Sequence, residues 1–138
     1  MKNKLLILLL VSTFAFSHID EKVLYDFEKK CMICHDTYNK NDKAPPIVAI
    51  NQIYTKKTSG DLSLSKKMII NFLANPTYDK ALMKPAIKLY SLMQKQDIEL
   101  EDMGNFADVI LETNFEIPEW FDEHFDSHKL DLENKNID

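Results

Sequence analysis

Cys31-Met32-Ile33-Cys34-His35 constrains this chain more than any other stretch, because it fixes what the remaining residues must fold around. Two thiols three residues apart, followed at once by an imidazole, form a C-x-x-C-H run, the pattern of covalent haem attachment. Each part has a task. The thiols reach the two vinyl groups of one haem and become thioethers, and the adjacent imidazole lies under the iron as its proximal ligand. Met32 and Ile33 need only let the chain turn. C-x-x-C also serves zinc sites and dithiol redox centres. Both cysteines of the chain lie in this run, so no second pair exists to complete a four-cysteine zinc site. A thioredoxin-like centre needs βαβ surroundings, and the flanks here read as helical.

The N-terminus carries the marks of export. Lys2 and Lys4 precede an apolar run from Leu5 to Phe16, and Ala15 and Ser17 are small residues suited to cleavage after Ser17. This is the pattern of a signal peptide over residues 1–17, removed before folding. The alternative is an uncleaved anchor, but the apolar run is shorter than the ~20 residues that span a bilayer. Covalent haem attachment takes place outside the cytoplasm in bacteria, so the two signals agree on a periplasmic location. Membrane association is expected only if the segment stays uncleaved.

The remaining residues suit one small domain with one core. Their charge is unevenly placed. From His18 to Gln96 there are 13 Lys against 8 acidic residues, a balance of +5; from Asp97 to Asp138 there are 2 Lys against 14, a balance of −12. An acidic C-terminal stretch of this kind is commonly a solvated face. A dipolar molecule that steers toward a charged partner is the sharper reading.

The periodicity predicts an all-α protein. Asp20 can cap a helix to about Lys30, with Val23, Leu24 and Phe27 on one side. Residues 36–51 read as a polar, then proline-bearing loop, and residues 58–61 as a break. Ser63 or Ser65 can cap a helix through Ala74, stopped by Asn75-Pro76. Pro85 suits the first turn of a short helix over 86–92. Asp97 or Glu99 opens a helix to about Thr113, with Met103, Phe106, Ala107, Ile110 and Leu111 as its apolar stripe. Pro118 opens a last helix carrying Trp120, Phe121 and Phe125, which are expected to cover the domain. His124 and His128 would share a face of that helix, without a third ligand to make a metal site. His18 is the remaining imidazole.

The order of these parts resembles the class I monohaem c-type cytochromes, and the resemblance covers roughly residues 20–113. Phe27-Glu28-Lys29-Lys30-Cys31 looks like the family's first helix, with an aromatic four residues before the first Cys. Ala44-Pro45-Pro46-Ile47 stands in the place of the family's Gly-Pro-x-Leu. Phe72-Leu73-Ala74-Asn75-Pro76 looks like the helix near the haem edge. The segment from Lys80 to Met93, with Ile117-Pro118-Glu119-Trp120-Phe121 behind it, looks like a subgroup of small exported bacterial cytochromes. Three departures stand out: Ala44 in place of glycine, Val109 where the last helix often carries an aromatic, and Gly104 inside that helix. Gly104 is either a place of close backbone approach or a tolerated weakness costing ~1 kcal/mol against Ala.

The resemblance implies a cytochrome c fold over residues 18–115, helices wrapped around one covalent haem c, with an acidic extension and short aromatic helix over 116–138. It implies Cys31 and Cys34 as attachment points, His35 as proximal ligand, and a Pro45 carbonyl that accepts the imidazole's Nδ1–H. Such support fixes ring orientation and raises ligand basicity. The sixth ligand is expected to be a methionine, since a thioether stabilises ferrous iron. Met68 and Met103 fall on apolar stripes and read as core. Met93, just before the final helix, fits the family's order best, with Met83 as the alternative. The implied function is a periplasmic electron carrier without bond chemistry of its own. The other readings are an open-site haem enzyme or gas-binding sensor, or a fixed redox subunit of a larger complex. Its partners would be redox proteins, not nucleic acid. Lys43, Lys80, Lys84, Lys88 and Lys95 flank the candidate ligands and could ring an exposed haem edge.

Overall fold

A computed structural model describes residues 19–37 and 43–121. The expected signal segment, His18, and the stretch holding His124, Phe125 and His128 lie outside them. Every regular element among the described residues is helical, and none of these helices is long and apolar enough to cross a membrane.

The first helical stretch has three parts. Helix α1 spans Glu21–Phe27 and starts where the Asp20 carboxylate accepts the Lys22 N–H at 2.7 Å. A capping side chain of this type satisfies one of the donors that a helix N-terminus leaves free. The chain then widens into a π-helical segment, Glu28–Met32, and closes with a single turn, α2, over Ile33–His35. The sequence placed a plain helix end near Lys30. Instead the helical path runs unbroken into the C-x-x-C-H run, and the wider π turn resets the angular position of both cysteines relative to Phe27. Insertions of this type are frequent at functional sites.

Residues 36–51 do not form one loop, as the sequence suggested. Helix α3 spans Ile47–Lys57, and Pro46 stands at its N-cap with its carbonyl accepting from Ala49. Ile47, Val48, Ile50, Ile53 and Thr55 are β-branched and individually lower helix propensity. Burial overrides that tendency: Ile47, Val48, Ala49 and Tyr54 are all in the core. Most helical stability in proteins comes from such packing and not from propensity.

The break at residues 58–61 is present, with Ser59 and Gly60 at positive φ. Helix α4, Leu62–Ala74, is capped by Asp61, whose carboxylate accepts the Leu64 N–H at 2.9 Å. Neither Ser63 nor Ser65 is the cap. The Ser65 hydroxyl is fully buried, 2.7 Å from the Thr58 hydroxyl, and donates to the Tyr54 carbonyl. These two hydroxyls thus satisfy the end of α3. Helix α4 ends at Asn75, ahead of Pro76, as the sequence implied.

Helix α5, Lys84–Tyr90, holds Pro85 in its first turn and begins two residues earlier than the sequence suggested. Helix α6 spans Leu100–Glu112 after Glu99. Its Met103, Phe106, Ala107 and Ile110 are buried, along with Val109. Helices α1 and α6 meet through Phe27 and Phe106, whose rings lie edge to face at 5.6 Å and 71°. Such pairs contribute about 0.5–1.5 kcal/mol beyond their burial. Helix α6 also packs along α4, where Lys66 and Asp108 pair at 2.6 Å. The Asn51 side chain donates to the Ile110 carbonyl at 2.7 Å, closing the C-terminus of α6. Phe121, beyond the expected domain end at 115, is buried in the same core as Phe27 and Phe106.

Gly104 has no close backbone neighbour. A Cβ added there would meet only the Lys66 Cε, at 3.9 Å. Gly104 is therefore not a place of close backbone approach.

Candidate functional site

The π segment and α2 place Cys31 half-buried and Cys34 exposed, with His35 directly behind them. All three line a cavity of about 400 Å³, within the ~300–1,000 Å³ range of small-molecule and cofactor sites. The expected residues from later in the chain come to the same place. Pro45, Met83 and Met93 line this cavity too. Met68 and Met103 do not; Met103 is buried in the core and Met68 packs against it.

The imidazole of His35 is fixed on one side. Its Nδ1 lies 2.7 Å from the Pro45 carbonyl oxygen. A carbonyl can only accept, so Nδ1 carries the proton in the neutral ring, and Nε2 keeps its lone pair. Burial lowers the His35 pKa below the ordinary histidine value, and the bond to Pro45 opposes that shift only in part. The net result is a neutral imidazole with one nitrogen able to bind a metal.

Burial pushes the Cys31 thiol up to about 11, against a smaller opposing pull from Lys30. A dithiol redox centre needs the reverse, a thiolate stabilised near neutral pH. Nor do three His, Cys, Asp or Glu side chains gather into a metal-binding group among the described residues, as a structural zinc site would require.

Most of the remaining cavity wall is apolar. Ile47 and Ile50 of α3, Ile69 and Leu73 of α4, and Phe106 of α6 line it, and α5 supplies Ala86 and Ile87. Polar groups sit among them: the Lys30 and Lys43 side chains, Tyr54, Tyr90, Gln94 and Gln96. These residues fit a covalently held haem. The apolar walls suit the faces of a macrocycle, two thiols are present for its vinyl groups, and the amines and phenols can receive its carboxylates. His35 offers a nitrogen ligand, and Met83 and Met93 each offer a sulfur.

Tyr54 and Lys30 were not singled out in the sequence. Ile47, Ile50 and Tyr54 fall at helical spacing, so reading residues 47–57 as a helix would have put all three on one face. Tyr54 is buried, and desolvation raises its phenol to about 12. Lys30 bridges from the π segment to the stretch before α6, donating to the Asp97 carbonyl at 3.2 Å. Among the flanking lysines, only Lys43 lines the cavity. The Lys80 amine donates to the Asn71 carbonyl and the Lys84 amine lies over the Tyr78 ring at 4.9 Å, while Lys88 and Lys95 are exposed.

No family model, curated protein or solved structure matches this chain.

Proposed function

We propose that this chain is an exported, periplasmic electron carrier with one haem c held through Cys31 and Cys34 and ligated by His35 and Met93. The observation that carries the reading is the convergence of the C-x-x-C-H run, the Pro45 carbonyl and a methionine sulfur on one apolar cavity. These parts come from distant stretches of the sequence. The bound haem would supply a reversible one-electron change at its iron. The chain's own contributions would be to hold the His35 ring in the Nδ1–H tautomer, to offer a soft sulfur from Met93 at the same cavity, and to exclude water with an apolar wall. A soft sulfur ligand and low polarity both favour the reduced, less charged state and raise the potential.

Two methionines at the cavity wall favour a closed iron over the open site of a haem enzyme or gas sensor. The test is direct. The chain, produced in a host that attaches haem in its periplasm, should keep haem on a denaturing gel and through acid-acetone extraction. Its ferric form should show the weak far-red band of thioether-to-iron charge transfer. Complete loss of haem on extraction would remove the proposal. Rapid carbon monoxide binding by the ferrous protein would transfer it to the open-site class.

A further inference from the structure

Met83 and Met93 bracket α5. Met83 is its N-cap residue, and Met93 follows its C-terminus by three residues. Residues lining the cavity lie on α5 between them, so both methionines line one site from the two ends of a single short helix. Something must decide which of them is delivered.

Ser91 stands at that decision. It has φ 70° and ψ 170°, a backbone region that is essentially reserved for glycine and is costly for any other residue. Its N–H still closes the last turn of α5, bonding the Ile87 carbonyl at 2.9 Å. The chain is therefore helical up to the Ser91 nitrogen and extended directly after its α-carbon. That single positive-φ residue lies between the last turn of α5 and Leu92 and Met93, and all three line the cavity. Residues 91–99 have no regular structure, so no ladder of hydrogen bonds would deliver Met93 if the turn relaxed. A strained conformation outside any glycine persists only where its surroundings hold it, and such positions cluster at functional sites.

We infer that Ser91 is a positioning residue whose strained turn selects Met93 over Met83 as the sulfur presented to the iron. This rests on the haem reading above. Met83 is then a second sulfur at the same cavity, held back at the head of α5.

The experiment uses the haem-loaded protein and five variants: Met83→Leu, Met93→Leu, Ser91→Gly, and Met83→Leu combined with Ser91→Gly or with Ser91→Val. Covalent haem is measured first, as the pyridine haemochrome, which tests the underlying reading alone. The readout for Ser91 is the imidazole concentration that displaces the thioether charge-transfer band, with the thermal midpoint recorded beside it. Valine is β-branched and cannot adopt the Ser91 conformation without strain, whereas glycine adopts it freely. In the Met83→Leu background, Val should make the thioether about tenfold easier to displace, in line with the cost of such a backbone state. Gly should leave it as firmly held as in the parent or more so. Met93→Leu should lose the band or hold a sulfur displaced at least about tenfold more easily.

Three results overturn the inference. One is Val lowering the thermal midpoint while the imidazole concentration stays put, which makes Ser91 a residue of the fold only. Another is Gly loosening the thioether. The third is Met83→Leu, and not Met93→Leu, abolishing the band. Absence of haemochrome in the parent protein removes the haem reading and this inference together.

Discussion

His35 Nδ1 and the Pro45 carbonyl oxygen stand 2.7 Å apart, ten residues distant in sequence and at the wall of one cavity. The bond settles the tautomer, and with it which nitrogen is available to a metal. It also ties the proline stretch to the C-x-x-C-H turn, so the ring cannot rotate without moving both. The expected consequence is a His35 Nδ1 proton that exchanges slowly with solvent. In the ferrous, diamagnetic, haem-loaded protein it should persist in the NMR spectrum after transfer to heavy water. Its disappearance as fast as that of an exposed imidazole proton would show that the bond is not kept.

Gly104 offers a stability test independent of haem chemistry. It lies within α6 with no positive φ, and the nearest atom to a Cβ added there is the flexible Lys66 Cε at 3.9 Å. Glycine in a helix interior costs about 1 kcal/mol against alanine, partly through the freedom of the unfolded chain. Gly104→Ala should therefore raise the unfolding free energy by roughly 0.5–1 kcal/mol in urea titrations. A fall in stability would mean that α6 needs the glycine for a contact the fold does not display.

The helical class, the cap at Asp20, the stop at Asn75 and the stripe of α6 were legible because each rests on local chemistry. A carboxylate before a helix, a proline after one and a 3.6-residue period leave their marks in a few residues. Helix α3 was not legible, since its β-branched residues argue against helix until the core that buries them is known. Asp61 and the two serines near it offer the same capping chemistry, and only packing assigns Ser65 to Thr58 and the Tyr54 carbonyl. Family resemblance implied Cys31, Cys34, His35 and Pro45 at one site with Met93, or Met83 in its place; that both methionines line the same cavity comes from the fold alone. Tyr54 was missed with its helix. The strain at Ser91 has no sequence signature, because serine at a helix end is ordinary and only the backbone angles reveal it.

Tyr54 gives the alkaline limb of the stability profile. Desolvation raises its phenol to about 12 in the folded protein, whereas an unfolded tyrosine titrates near ~10. The folded state thus favours the neutral phenol. Its contribution is fully present below about pH 10 and is lost as the pH rises toward the folded value, because the unfolded chain releases its proton first. Tyr54→Phe cannot release a proton. Between pH 9 and pH 11.5 the variant should lose about 1–2 kcal/mol less stability than the parent, by the linkage between pKa and folding. Equal losses in the two proteins would place the Tyr54 hydroxyl in contact with solvent.

The lysines carry the last prediction, which concerns the redox partner that the proposed electron carrier would need. Lys88 and Lys95 are exposed and adjoin the cavity-lining residues Ile87, Gln94 and Gln96, and Lys43 lines the cavity itself. From Asp97 onward the chain carries 14 acidic residues against 2 lysines. If the basic side surrounds the haem edge, the molecule's charge asymmetry turns that edge toward an acidic partner. Attraction of this kind raises association rates and fades with salt, since the Debye length is only ~8 Å at physiological ionic strength. Second-order electron-transfer rates with an acidic redox protein should fall as salt is added. The double variant Lys88→Glu, Lys95→Glu should be slower at low salt, by about tenfold, and should converge on the parent at high salt. A rate that stays flat across the salt series, or a double variant as fast as the parent at low salt, would leave these lysines as ordinary solvated residues. Docking would then fall to the apolar rim near Ile33, which is 65% exposed beside Cys34.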